Sequence, residues 1–240
     1  MIVNYTESGW QIITQPNHGL LAAQLLSQWK IAKRPERWME ILIATACHDD
    51  VYTEFHDEGL LNANGGPVDF KMNGFRLDYA EQLINLASTK SAFTALLITS
   101  HLHFLFKQDA EASNFLSALK QTEQAWLKAS GASKKEVKTA YALLQFCDAF
   151  SLLLCQGLIP PENRKAEISK GPDGTLYTMA CTADQQISVS DWPFQDDEFT
   201  VFWESRTLSQ LSFQDVNEFR SALRNAEIVR HELKVKNTAI

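Results

Sequence analysis

The apolar positions of this chain change their period twice. Ile2-Val3-Asn4-Tyr5 and Trp10-Gln11-Ile12-Ile13 flank Glu7-Ser8-Gly9 and predict two short strands joined by a turn. From His18 the repeat lengthens to a helical stripe of Leu21, Ala22, Leu25, Leu26 and Trp29, with Pro16 suited to its first turn. Pro35 opens the next helix, in which Trp38, Ile41, Leu42, Thr45 and His48 recur every three or four residues and Asp49 follows one step round. Between about residues 50 and 75 the pattern breaks into a long loop containing Asn62-Ala63-Asn64-Gly65-Gly66-Pro67 and Asn73-Gly74, a candidate rim or lid. Helical spacing returns at Leu77, Ala80, Leu83, Ile84 and Ala87, then at Phe93, Leu97, His101 and Phe104, then over residues 110–130 up to Gly131. A last long helix starts at Ser133, whose spacing to Glu136 makes a capping box, and stops at Gly157 before Pro160-Pro161.

Beyond Pro161 strand formers take over. Residues 166–170, 175–182, 186–190, 199–204 and 228–235 read as strands, with Pro172-Asp173-Gly174 as a turn and a short helix near 213–223. The expected fold class is therefore mainly α. A helical bundle would occupy residues 14–165, and a smaller, mainly antiparallel β-sheet subdomain residues 166–240, with residues 1–13 free to join its sheet.

One residue breaks the amphipathic picture. Asp148 stands alone within the apolar run Tyr141 to Cys155, on the face shared by Val137, Tyr141, Leu144, Ser151, Leu152 and Cys155. An unpaired carboxylate in a core costs several kcal/mol or neutralises, so it needs a partner: a basic side chain or a metal ion. His18, His48 and Asp49 sit on the core-facing stripes of two other helices, so three helices deliver metal-type ligands in the order H…HD…D. Two carboxylates and two imidazoles carry a net charge matched by one divalent cation, and such donors suit Mn, Fe, Co, Ni or Zn. His101 and His103 are two residues apart and point in directions about 200° different, so only one can face a common site. His101 falls on the Phe93-Leu97-Phe104 stripe and reads as an extra ligand, a substrate contact or a core histidine bonded to a carbonyl. His56 belongs to the loop and His231 to a late strand.

Composition narrows the rest. With 22 basic and 29 acidic residues the net charge is −7, and no basic stripe or polybasic run favours nucleic acid or a membrane surface. The apolar stretches are interrupted before the roughly 20 residues of a membrane helix. The four cysteines, Cys47, Cys147, Cys155 and Cys181, show no CxxC spacing and read as small buried residues of a reducing, cytoplasmic compartment.

The H…HD…D arrangement of His18, His48-Asp49 and Asp148 resembles the HD-domain superfamily of metal-dependent phosphohydrolases. The resemblance covers roughly residues 15–158. The wording Thr14-Gln15-Pro16-Asn17-His18, Cys47-His48-Asp49-Asp50 and Gln145-Phe146-Cys147-Asp148-Ala149-Phe150-Ser151 is also similar to a bacterial branch of that superfamily known only as a domain of unknown function. The resemblance implies an HD-type helical bundle holding one or two divalent ions (Mn, Fe, Co, Ni, Zn or Mg) on His18, His48, Asp49 and Asp148. It implies hydrolysis of a phosphoester, of a nucleotide or another small metabolite; Asp50, which follows the ligand pair at the mouth of the cleft, is the candidate proton-transfer group, and His101 a candidate contact to substrate oxygen. The alternative is a regulatory protein that keeps the site without turnover. Di-iron oxygenase members of the superfamily use further histidines between the HD pair and the last aspartate; this chain offers His101 and no convincing second one. Lys71 and Arg76 are the nearest candidate phosphate contacts, and the C-terminal sheet is free to cover the site, bind a partner or form a homodimer.

Overall fold

The two strand-rich segments meet in a single sheet. The computed structural model describes residues 1–162, 164–182 and 184–238. β1 (Ile2–Thr6) and β2 (Gly9–Ile13) form a hairpin that pairs Ile2 with Ile13 and Thr6 with Gly9. Five further strands follow among the described residues: β3 (Lys165–Lys170), β4 (Leu176–Cys181), β5 (Ile187–Val189), β6 (Glu198–Leu208) and β7 (Ile228–Lys236). Their order across the sheet is β1-β2-β6-β7-β5-β4-β3, antiparallel throughout except where β5 meets β7. Gly9 makes the junction of hairpin and sheet feasible. Its φ is +115°, and a Cβ there would stand 2.1 Å from the Leu208 carbonyl oxygen, so a side chain would prise β2 from β6.

The helices of the described residues are α1 (Gln15–Ser27), α2 (Trp38–Ala46), α3 (Leu77–Ser88), α4 (Ala92–Phe106), α5 (Ala112–Ser130), α6 (Lys134–Cys155) and α7 (Val216–Asn225). The structure is 45% helical with 21% strand in a curled, seven-stranded half-barrel, so the expectation of a mainly α bundle with a small sheet is wrong. The reason is the range of the pairing. Helical periodicity can be read within a dozen residues, whereas β2 finds its partner only when Ile12 meets Arg206.

Helices and sheet share one core. Trp29, 1% exposed beyond the end of α1, packs its ring edge-to-face against Phe146 of α6, Tyr177 of β4 and Phe194, at centroid distances of 5.4, 6.1 and 6.2 Å. α1 lies between α6, α2 and β6, and α6 also packs on β3. A second cluster joins α3, α4 and α5 through Leu83, Ile98 and Leu116, and a third ties the hairpin to α7 through Ile12, Leu208 and Phe219. The capping box is formed in both halves, with Ser133 Oγ accepting from the Glu136 N–H and the Glu136 carboxylate accepting from the Ser133 N–H. α6 has the length and apolar composition to cross a membrane, contrary to the expected interruption; half of that stretch is buried inside this fold.

The long loop is pinned along its length. Asp69 accepts from the Val3 N–H at 2.9 Å, the Phe70 N–H donates to the Met1 carbonyl at 2.9 Å, and the Arg224 guanidinium donates to the Phe55 carbonyl at 2.6 Å. Strand β1 and helix α7 thus hold it over the ends of α1 and α2.

Candidate metal centre

Each ligand is presented by its own local device. α1 begins without a side-chain bond from Thr14; instead Glu54, buried in the long loop, accepts from the Gln15 N–H at 2.8 Å. A carboxylate there satisfies an orphan N–H and suits the positive end of the helix dipole. His18 emerges one turn later with no exposed surface. α2 ends at Ala46, short of the expected helical continuation through His48. His48 itself explains the stop, since its Nδ1–H donates to the Thr45 carbonyl at 2.8 Å and replaces a helix-end partner. Gly19 lets the two elements meet. A Cβ on it would lie 2.6 Å from the Ala46 carbonyl oxygen, so only glycine allows α1 to cross the end of α2 this closely.

The ring nitrogens then face one way. Ser151 Oγ donates its single proton to the Asp148 carbonyl at 2.8 Å, so towards His18 Nδ1, 2.9 Å away, it must accept. His18 and His48 therefore both hold a proton on Nδ1, which leaves Nε2 as the nitrogen each ring turns towards the carboxylates and would offer to a metal. His18 Nε2 lies 3.2 Å from Asp49 Oδ2, and His48 Nε2 lies 3.2 Å from Asp148 Oδ1 and 3.8 Å from Asp49 Oδ2. His101 Nε2 is 4.0 Å from Asp49 Oδ1, with its Nδ1 3.4 Å from the Tyr141 hydroxyl. The imidazoles stand edge to face, His18 to His48 at 4.8 Å and His48 to His101 at 5.0 Å.

These donors can hold a metal ion. Two overlapping groups, His18-His48-Asp49 and His48-His101-Asp148, each have ligand atoms within 4.8 Å of one another. Around an ion with bonds of about 2.1 Å, neighbouring ligands stand roughly 3 Å apart, so little movement closes the set. The electrostatics agree. Burial lowers the His48 pKa, but Asp49 and then Asp148 outweigh it and push the imidazole up to about 10. Burial raises both carboxylates, yet His48, foremost among their neighbours, holds Asp49 and Asp148 below the usual carboxylate range. Burial and then the positive field of His48 push His101 down, favouring its neutral, ligating form. Without a metal, a proton on His48 compensates the carboxylates; a divalent ion does so more fully.

A cavity of about 240 Å³ opens above Asp49, His101 and Asp148. Gln15, Tyr52, Phe70, Lys71, Phe106 and Leu152 are among its lining, so it is mostly apolar, with Lys71 as a basic side chain. Lys71 also donates to the Gln156 side chain.

The structure thus brings His18, His48, Asp49, Asp148 and His101 together, and it separates the others. Asp50 turns away to a shallow pocket beside Cys47, Leu83 and Lys90, because the chain has left the helix and successive side chains diverge there. It does not line the cavity, which corrects its assignment as a proton-transfer group. Arg76 is paired with Asp78 at 2.6 Å and lies over the Tyr79 ring, at a second pocket beside the first. His103 faces Glu123 at 2.7 Å on the other side of α4, the His56 carbonyl accepts from Arg220, and His231 stacks on Trp203. Gln15, Thr45, Tyr141 and Ser151 support the ligands, and none stood out by residue type. The clue lay in position, since Thr45, Tyr141 and Ser151 all recur on the stripes that carry ligands.

Residues 1–210 match the family model described as Protein of unknown function (DUF3891). The chain belongs to the DUF3891 family. No curated protein and no solved structure matches it. The matched span holds every residue of the centre, while α7 and β7, which complete the loop anchor and the sheet, lie beyond it. The family description carries no activity, so the chemistry of this DUF3891 chain rests on its own side chains.

Proposed function

We propose that this chain is a metal-dependent hydrolase of a small phosphoester, and that its family is a branch of the HD-domain superfamily. The observation that carries the reading is the convergence of three histidines and two aspartates from four segments, of which Asp49, His101 and Asp148 line one cavity while His18 and His48 are fully buried beside them. A divalent ion held by His18, His48, Asp49 and Asp148, with His101 as a further ligand, would supply activated water and offset charge developing on phosphorus oxygens. The chain's own residues do the rest. Ser151, Thr45 and Tyr141 fix the rings from behind. Lys71 at the rim provides a cation for the phosphoryl group, and Tyr52, Phe70, Phe106 and Leu152 restrict water. The volume, below the roughly 300–1,000 Å³ of drug-sized pockets, favours a compact metabolite.

One observation favours the second reading, a non-catalytic metal- or ligand-binding regulator: with Asp50 turned away, the carboxylates lining the cavity among the described residues are Asp49 and Asp148 themselves. Metal analysis of the purified protein, followed by a panel of nucleotides and sugar phosphates with Mn, Fe, Co, Ni, Zn and Mg, separates the two. Metal-dependent release of phosphate or cleavage of a diester supports the hydrolase. A full metal complement with no turnover, while one such compound binds and raises the melting temperature, replaces it with the regulator.

A further inference from the structure

Gln15 carries a polar atom that the protein leaves unanswered. Among the described residues only Gln15 Oε1, Trp29 Nε1 and Arg206 Nε are buried side-chain polar atoms without a hydrogen-bond partner. Of these residues Gln15 alone lines the cavity of the centre. The residue is 4% exposed, so bulk water does not serve it. Its amide orientation is fixed by charge. Nε2 donates to Asp49 Oδ2 at 3.0 Å, and an ionised carboxylate accepts only, so the oxygen must be the end left over. Within an amide the two heteroatoms lie roughly 2.3 Å apart. Oε1 is therefore held within a few ångströms of a proposed metal ligand, by the same side chain that steadies that ligand. The backbone has no slack, because Glu54 accepts from the Gln15 N–H and Pro16 follows.

An orphan acceptor beside a ligand set needs a partner that the chain does not provide. A phosphate dianion would repel it, and a neutral amide oxygen competes poorly for a first-row divalent ion with the three imidazoles and two carboxylates already gathered there. Water held at the centre has protons to give. We infer that Gln15 is a positioning residue whose Oε1 accepts a hydrogen bond from the nucleophilic water, leaving that water's lone pair turned towards the cavity. The inference rests on the metal-dependent reading proposed above. It also separates the two ends of one side chain: Nε2 orients Asp49, and Oε1 orients the water.

Fluoride tests this without turnover. It replaces water at divalent centres but has no proton, so it forfeits the bond to Gln15 and sets its charge against Oε1. Cobalt-loaded protein is titrated with sodium fluoride and followed by its visible d–d bands, after cobalt affinity has been measured separately for each variant. In Q15M the acceptor is gone, and fluoride is expected to bind about tenfold tighter than in wild type, in keeping with a charge-assisted hydrogen bond. In Q15E an acceptor remains, and fluoride affinity is expected to stay at or below that of wild type. Should Q15M fail to fold, Q15N withdraws the amide by one methylene and is expected to tighten fluoride in the same direction. Equal fluoride affinity in wild type and the acceptor-less variant, with cobalt bound in both, overturns the role of Gln15 and leaves the hydrolase reading standing. Fluoride and cobalt affinities falling together would show that Gln15 acts through Asp49 alone. Protein that takes up no cobalt overturns the metal reading and this inference with it.

Discussion

At the scale of single residues, the centre depends on which atom holds which proton. Ser151 has one hydroxyl proton and gives it to the Asp148 carbonyl, so His18 must donate from Nδ1, which leaves Nε2 as the nitrogen it could offer to a metal. Removing that acceptor frees the ring to turn. Ser151→Ala is expected to weaken divalent metal binding about 10- to 100-fold, the range for lost outer partners, with the fold retained; calorimetric titration checks it. Asp148 is the stronger case, because among the described residues its ion-pair partners are the imidazoles of His48 and His18 and no Lys or Arg. Asp148→Ala is expected to lower metal affinity by more than about 100-fold, beyond that outer-partner range, whereas His103→Ala, on the far side of α4, stays within about threefold. Equal losses in the two variants would show that α4 and α6 do not present these faces to a metal.

At the scale of elements, the crossing of α1 over the end of α2 sets the spacing between His18 and His48. Gly19→Ala places a methyl against the Ala46 carbonyl, and the backbone must give. The expected cost is about 1–3 kcal/mol, read as a lower denaturation midpoint, with metal affinity falling because both histidines shift. An unchanged midpoint would mean that the helices part freely. This scale also shows what could be read from the chain. The stripes of α1, α4 and α6 and the Ser133–Glu136 cap were legible because helices repeat within a few residues, and with them the convergence of His18, His48, Asp49 and Asp148 on the core. The end of α2 was not, because His48 terminates it through a side-chain bond that competes with propensity. Asp50 was placed at the cleft mouth because it follows His48-Asp49 in the chain, and in the turn after Ala46 a sequence neighbour need not face the same way. The sheet was legible strand by strand and not as a whole, because Ile12 and Arg206 carry no mark of each other. Gln15 was visible only as a neighbour of His18; its importance lies in a missing partner, which no sequence pattern displays.

At the scale of the whole molecule, the proposed metal site would couple ion binding to stability. An ion that binds only the folded chain stabilises it, by about 2.7 kcal/mol at 100 times its dissociation constant, so chelation is expected to lower the melting temperature. The pH dependence follows from His48. Its pKa is raised from 6.5 to about 10 in the fold, so its stabilising proton is fully effective below pH 6.5 and is lost as pH rises through about 10. Metal-free protein is therefore expected to lose melting temperature across that window, and metal-loaded protein to hold it, since the ion takes the proton's place. Parallel melting curves with and without chelator from pH 6.5 to 10 would contradict the linkage. The hairpin adds a consequence in time. β2 lies immediately ahead of His18, and its outer edge stays unpaired until β6 has been made, from Ile12 to Arg206. A ribosome emitting this chain releases the His18, His48-Asp49 and Asp148 segments well before β6, whose Glu204 N–H donates to the Asn17 side chain one residue ahead of His18. The nascent polypeptide thus carries the candidate ligands through most of its synthesis before the strand that abuts the first of them exists.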